Sequence, residues 1–224
     1  SSHVNKDSYF SSAKLNTLEA LAAGTTTFGD YSDESIVFDF AQFLERLGVR
    51  ANLTSNIKEV GKKKPILDPD ELYEFDENVG LKHLNTNIEL VKKWHGKHDY
   101  RFTVTLSPQA PDFLSKEMLL KVKKVAEELD VKLHMHVAQG DRETIQMLRR
   151  YNKRSIPFLD EIGYLNDRLI AVHLTDATED EARYAAQKGA SMVLCSGSIG
   201  IIDGVVPPSV AFQEGGGYVA LGTD

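Results

Sequence analysis

Lys132-Leu133-His134-Met135-His136-Val137-Ala138-Gln139-Gly140-Asp141-Arg142 is the stretch whose reading decides the fold. Leu133, Met135 and Val137 alternate with His134, His136 and the small Ala138, so a period of two sets both histidines on one face of a short strand. A helical pattern follows almost at once. A strand with histidines near its C-terminal end that runs straight into a helix is how a parallel α/β protein presents chemistry at the mouth of its sheet. The rest of the chain is read as scaffold and partners for His136.

Working outward, Ser115 caps a predicted helix reaching Leu129 before this strand, and a helix near 143–151 follows it. A short helix comes next, with Pro157 in its first turn after Ser155. Residues 169–173 read as strand, Thr178 with Glu181 forms a capping box for a helix ending at Gly189, and 191–195 is strand again. The loop 196–208 is rich in Gly, Ile and Pro, a short helix crosses 209–213, and 218–222 is the last strand. Toward the N-terminus, 101–106 is predicted as strand, preceded by a helix with Val79, Leu84, Ile88, Val91 and Trp94 at helical spacing. The polar loop 57–75, holding Gly61, Pro65 and Pro69, is long enough to cover a site. Before it come strands at 25–30 and 50–55 and a helix at 34–47 that turns Ile36, Phe40, Phe43, Leu44 and Leu47 inward. A first helix, capped by Ser12 and stopped at Gly24, carries Leu15, Leu18 and Leu21 on one face.

Seven strands separated almost throughout by helices predict an α/β protein with a parallel sheet, and their uniformly buried character favours a (β/α)8 TIM-type barrel over an open doubly wound sheet. Such a barrel closes with eight strands, so one strand is unrecognised or lies upstream of Ser1; the end at Asp224 likewise suggests that a last helix is absent. The chain is therefore read as a single incomplete barrel domain over residues 1–224. At 224 residues and 42% hydrophobic composition it can fill one sizeable core. A net charge of −7, with no basic stripe interleaved with aromatics, argues against a nucleic-acid partner. The one basic run, Lys62-Lys63-Lys64 before Pro65, reads as a solvated loop. The single Cys195 cannot form an internal disulfide and no long apolar span or signal peptide is present, so the expectation is a cytoplasmic protein with a small-molecule substrate and no membrane partner. A seven-stranded piece exposes two sheet edges, so a longer native chain or a homo-oligomer that covers them is expected.

Three polar residues fall at strand ends that a barrel gathers on one face: His136, His173 and Asp224. The functional reading is a divalent metal site with His136 and Asp224 as ligands; the metal acidifies a water, Asp224 takes its proton, and His173 polarises the substrate or holds its leaving group. The structural reading is a hydrogen-bonded core histidine and an aspartate that caps the next helix. His134 is a second ligand or a packed neighbour. Cys195 also ends a strand, but nothing in sequence supplies its base, so a packed cysteine is expected. Catalytic zinc usually takes three protein ligands and His136 with Asp224 makes two, so the residues alone leave the site short.

The segment Leu18-Glu19-Ala20-Leu21-Ala22-Ala23-Gly24-Thr25-Thr26-Thr27-Phe28-Gly29-Asp30, the histidine strand, Ala171-Val172-His173-Leu174 and Leu221-Gly222-Thr223-Asp224 together resemble the amidohydrolase superfamily, in the branch of guanine and S-adenosylhomocysteine deaminases and triazine chlorohydrolases. The resemblance covers nearly all of the chain and implies the second to eighth strands of that barrel. It implies one divalent metal, zinc first with iron or manganese as alternatives, held by His136 on the fifth strand and Asp224 on the eighth, with His173 as the substrate histidine of the sixth. The family's first-strand His-x-His pair has no counterpart here, since His3 stands alone, and activity is expected to require that pair.

Two departures bear on mechanism. Members that deaminate purine-like rings carry a glutamate three residues after the fifth-strand histidine, and this chain has Gln139, an amide that hydrogen-bonds but cannot shuttle a proton at neutral pH. Many relatives place a histidine after the fourth-strand proline, where this chain has Gln109. Both favour a substrate whose leaving group needs less help. The loop from Cys195 to Gly204 replaces the family's common Pro-x-Ser-Asn stretch and makes Ser198 a substrate-contact candidate beside Gln139, Gln109, His134 and His173. The reading is a metal-dependent hydrolase of a C–N or C–halogen bond in a small heterocycle, of deaminase or chlorohydrolase type. The alternative is a non-catalytic barrel of the same family used for ligand binding or assembly. A phosphate-binding barrel lyase ranks last, because no Schiff-base lysine sits at a recognisable strand end.

Overall fold

The computed structural model describes residues 5–61 and 71–224. The run Lys62–Lys64, with Pro65, Pro69 and His3, lies outside them.

Strand β1 (Thr27–Gly29), β2 (Arg50–Leu53) and β3 (Phe102–Val104) pair in parallel, with Ala51 opposite both Phe28 and Phe102. A two-residue ladder, Asn56–Ile57 beside Ser107–Pro108, continues the second pairing past a bend. Leu106 then bridges to Leu133 in β4 (Leu133–Val137), with His134 N donating to the Leu106 carbonyl at 2.9 Å. Parallel β5 (Leu169–His173), β6 (Ser191–Cys195) and β7 (Val219–Gly222) follow, with His136 opposite Val172 and Cys195 opposite Gly222. Every strand lies beside its predecessor in sequence. An all-parallel sheet whose order never reverses is the wall of a (β/α)8 TIM-type barrel, here an open arc, and not a doubly wound sheet.

The helices lie where apolar spacing and capping put them. α1 (Lys6–Ala22) starts at an Asn5 cap; α2 (Val37–Leu47) ends at Gly48, whose φ of 75° is the left-handed stop that glycine adopts freely. α3 (Glu77–Trp94) and α4 (Lys116–Glu128) follow, the latter capped by Ser115, whose side chain accepts from Met118 N. α5 (Asp141–Tyr151) and α6 (Ser155–Glu161) lead to α7 (Glu179–Gln187), where the Thr178–Glu181 capping box forms with both of its bonds; α8 (Ser209–Glu214) precedes the last strand. Trp94, Phe102, Leu119, Phe158, Tyr164 and Phe212 are fully buried in one cluster between strands and helices, and Tyr164 satisfies its hydroxyl on the Leu119 carbonyl at 2.6 Å.

α1 departs from expectation. Its cap is Asn5, seven residues before the expected Ser12, and two of its three leucines stay in the open: Leu15 is 57% and Leu18 46% exposed, while Leu21 packs on the core. Periodicity reports that a face is apolar, not how much of it is covered. The strands also shorten at both edges of the arc, β1 to Thr27–Gly29 and β7 to Val219–Gly222, where Leu221 is 80% exposed. No helix among the described residues is long and apolar enough to cross a membrane.

Candidate active site

The alternation along β4 packs Leu133, Met135 and Val137 into the core and leaves the two histidines on the inner face of the arc. Tyr31 meets both rings edge-on, with centroids 5.4 Å from His134 and 4.8 Å from His136. The Gln109 carbonyl accepts from His136 N at 3.1 Å and from His136 Nδ1 at 2.8 Å. A carbonyl holds the proton on Nδ1, which leaves Nε2 as a lone pair, the arrangement usual for a metal-binding histidine. Burial is the main force keeping His136 below the ordinary imidazole range, so the ring is neutral near pH 7. Burial also pushes His134 down to about 4, with the nearby His136 and His173 adding to the effect.

His173, at the end of β5, stacks on His136 with centroids 5.2 Å apart. Its backbone takes φ 76°, and Leu174 takes 57°, two consecutive non-glycine residues in the left-handed region. Such conformations cost about 1–3 kcal/mol each and persist where the surroundings impose them, often at functional sites. His173 Nε2 is buried without a hydrogen-bond partner among the described residues. Asp224 completes the group: one ligand atom from each of His136, His173 and Asp224 lies within 4.8 Å of the others. Gly197 sets Asp224's approach, because a Cβ there would stand 2.8 Å from the Thr223 carbonyl oxygen. The neutral His136 imidazole and the Asp224 carboxyl group offer ligand atoms that suit a divalent cation, and the unclaimed His173 Nε2 lies beside them.

The loop leaving β4 is held by Glu143, a fully buried carboxylate in the first turn of α5. It accepts from Ala138 N at 2.7 Å, from Gln139 N at 3.0 Å and from the Ser155 hydroxyl. Asp176 N donates to the Ala138 carbonyl at 2.7 Å, tying this loop to the one after β5. Behind it lies a second buried acid, Asp112, reached by Arg142 Nε at 3.1 Å. Burial, then the charge of Glu143, raises Asp112 to about 7 against the pull of Arg142; burial raises Glu143 as well. A carboxyl whose folded pKa exceeds its unfolded value adds stability below the unfolded pKa, and that stability is lost as pH rises through the folded one. Unfolding melts are thus expected to show stability falling from about pH 4 to pH 7, with a flatter slope in Asp112→Asn; equal slopes would remove the acid pair from the account.

The remaining candidates fall as follows. Ser198 is buried, its hydroxyl 3.1 Å from the Cys195 carbonyl, 3.2 Å from Asp203 Oδ2 and 3.5 Å from His173 Nδ1. Gln139 Nε2 donates to Asp203 Oδ1 at 3.4 Å. Gln109 has its side-chain oxygen buried without a partner among the described residues. Cys195 is buried and its thiol is pushed up to about 11, first by burial and then by Asp224 and Asp203, which fits a packed residue and not a nucleophile. Sequence reading passed over Asp203, Glu143 and Tyr31. Asp203 lies in an irregular turn with no periodicity to mark it, and Glu143 looks like any acid in a first helical turn.

Comparison with known proteins gives the family and the fold. The Amidohydrolase family matches residues 2–224. A 5-methylthioadenosine/S-adenosylhomocysteine deaminase of Moorella thermoacetica is 30% identical over 222 residues, covering 99% of this chain and 47% of that protein. Among solved structures, an adenosine deaminase from Xanthomonas campestris with bound zinc superposes with TM-score 0.82 at 24% identity, over 100% of this chain and 47% of that one. An atrazine chlorohydrolase from Arthrobacter aurescens TC1, complexed with zinc, gives 0.80 at 19% identity over 94% and 47%. These structures share the fold. The chain spans about half the length of the curated relatives it matches.

Proposed function

The chain belongs to the amidohydrolase family, and from that premise we propose a metal-dependent hydrolase acting on a C–N or C–halogen bond of a small heterocycle. The observation that carries the reading is the convergence of His136, His173 and Asp224, from three separate strand ends, within 4.8 Å. His136, through Nε2, and Asp224 would hold the cation, zinc first, with iron or manganese as alternatives. A bound divalent cation supplies Lewis acidity that brings a water's pKa toward neutrality.

The protein's own groups do the rest. Asp224, exposed at the mouth, accepts the proton of the attacking water. His173, neutral because burial and His136 disfavour its charge, polarises the substrate or holds its leaving group through Nε2. Gln139, where purine-deaminating relatives carry a glutamate, hydrogen-bonds the ring without moving a proton.

The test is elemental analysis after exhaustive dialysis, on wild type and His136→Ala, followed by a hydrolysis panel of aminated and chlorinated purines and triazines. Close to one metal per chain in wild type and little in the variant is expected, with turnover of at least one panel compound. Metal retained in His136→Ala would remove that residue from the site. Bound metal without any turnover would favour the family's non-catalytic alternative.

A further inference from the structure

Above the strand ends a cavity of about 470 Å³ is walled by Gln139, Arg142, Thr175, Asp176, Asp203 and Val205. It adjoins the three-residue group: Gln139 stands three positions after His136, and Asp203 Oδ2 is 3.9 Å from His173 Nδ1. The Asp203 side chain is only 7% exposed, yet it sits beside solvent-filled space with two neighbours on it, the Ser198 hydroxyl at 3.2 Å and Gln139 Nε2 at 3.4 Å.

That second contact has a chemical consequence. Gln139 Nε2 is the donor to Asp203 Oδ1, so of the two ends of the Gln139 amide it is the NH2 that faces Asp203. The two ends of an amide have nearly the same shape, and here the partner decides which one faces it. A planar amide with its NH2 committed on one side presents its carbonyl oxygen on the other. The charged groups of the wall have partners of their own. Arg142 is drawn back onto Asp112 at 3.1 Å, with its guanidinium 4.7 Å over the Phe113 ring. Asp176 is engaged by the Thr144 hydroxyl and by Arg154 at 3.6 Å.

We propose that Gln139, locked by Asp203, is a specificity-determining residue that takes a ring N–H of the substrate, so that the site selects heterocycles bearing a lactam or similar ring N–H and disfavours rings that offer a bare nitrogen there. A bare nitrogen would set lone pair against lone pair, and a site built to hydrogen-bond an N–H rejects the analogue that lacks it. A glutamic acid at this position can give a proton to a bare ring nitrogen. The locked amide cannot, and it instead recognises a ring that already carries one. This inference rests on the heterocycle reading above and names the class of heterocycle.

The experiment measures binding without turnover, using hypoxanthine, which carries a ring N–H, and 6-methoxypurine, which fixes the same nitrogen bare. Calorimetry is run on wild type, Gln139→Met and Asp203→Leu, each checked for a cooperative melt and for metal content. Wild type is expected to bind hypoxanthine at least about tenfold more tightly, and both variants to bring the two probes within about threefold of each other. Equal binding of the probes to wild type, a preference that survives in both variants, or no binding of either up to millimolar concentration would each overturn the proposal. A second readout uses the side-chain amide resonances of Gln139, identified by their loss in Gln139→Met. They are expected to shift in Asp203→Leu, and an unmoved pair shows that Asp203 does not hold the amide. Metal content measured on the same samples separates the outcomes: absence of metal defeats the hydrolase reading, whereas loss of probe preference in metal-loaded protein defeats only the clamp.

Discussion

Asp224→Asn is expected to lower kcat by about a thousandfold or more, with little change in the unfolding midpoint. An asparagine keeps the size of the side chain and one oxygen, but it neither takes a proton nor offers a charged ligand, and loss of a positioned base alone is worth about 10²–10⁴ in rate. The fold is insulated from the change because Asp224 is exposed and contributes nothing to the buried cluster. The check is steady-state kinetics on the best panel substrate, with metal content measured alongside. Low turnover with metal retained assigns the loss to the proton; low turnover with metal lost assigns it to the ligand. Near-wild-type rates would remove Asp224 from the mechanism.

Glu143→Ala is expected to cost about 3–5 kcal/mol, the range for removing one partner of a buried charged network. Three donors lose their acceptor at once: the backbone N–H groups of Ala138 and Gln139 and the Ser155 hydroxyl. Two of the three have no route to solvent, since Ala138 and Ser155 are buried with Glu143. Glu143→Gln keeps one acceptor but turns an NH2 toward a donor, so it should lose less, about 1–3 kcal/mol. Denaturant melts of the two variants check the ranking. A loss below about 1 kcal/mol for Ala would mean that other groups hold the loop. Because this loop carries Gln139, the same variant should also weaken the hypoxanthine preference.

The parts of the molecule with a period were legible in sequence. The histidine strand, the strand ending at His173 and the Thr178–Glu181 capping box stand where alternation and capping rules put them. His136, His173 and Asp224 were recognisable because strand ends of a parallel barrel share one face, so placing the strands placed the residues. What escaped was whatever depends on irregular backbone. Asp203 sits in a turn that ends at Gly204 with φ 65°, and its contact with Gln139 spans 64 positions that no local pattern links. The leucine face of α1 shows the converse limit, since its apolar residues were visible but not whether anything packs on them. Glu143 shows a third: burial of an acid is invisible until the donors around it are known.

The order of the strands bears on how the chain acquires its shape. Each pairs only with the strand immediately before it in sequence, from Thr27–Gly29 through to Val219–Gly222. No pairing in the arc waits for a segment that is made much later. A ribosome releasing the chain from its N-terminus would therefore lay the sheet down one strand at a time, each new strand finding its template already in place. Asp224, on the last turn of that growth, joins histidines whose strands were assembled before it emerged.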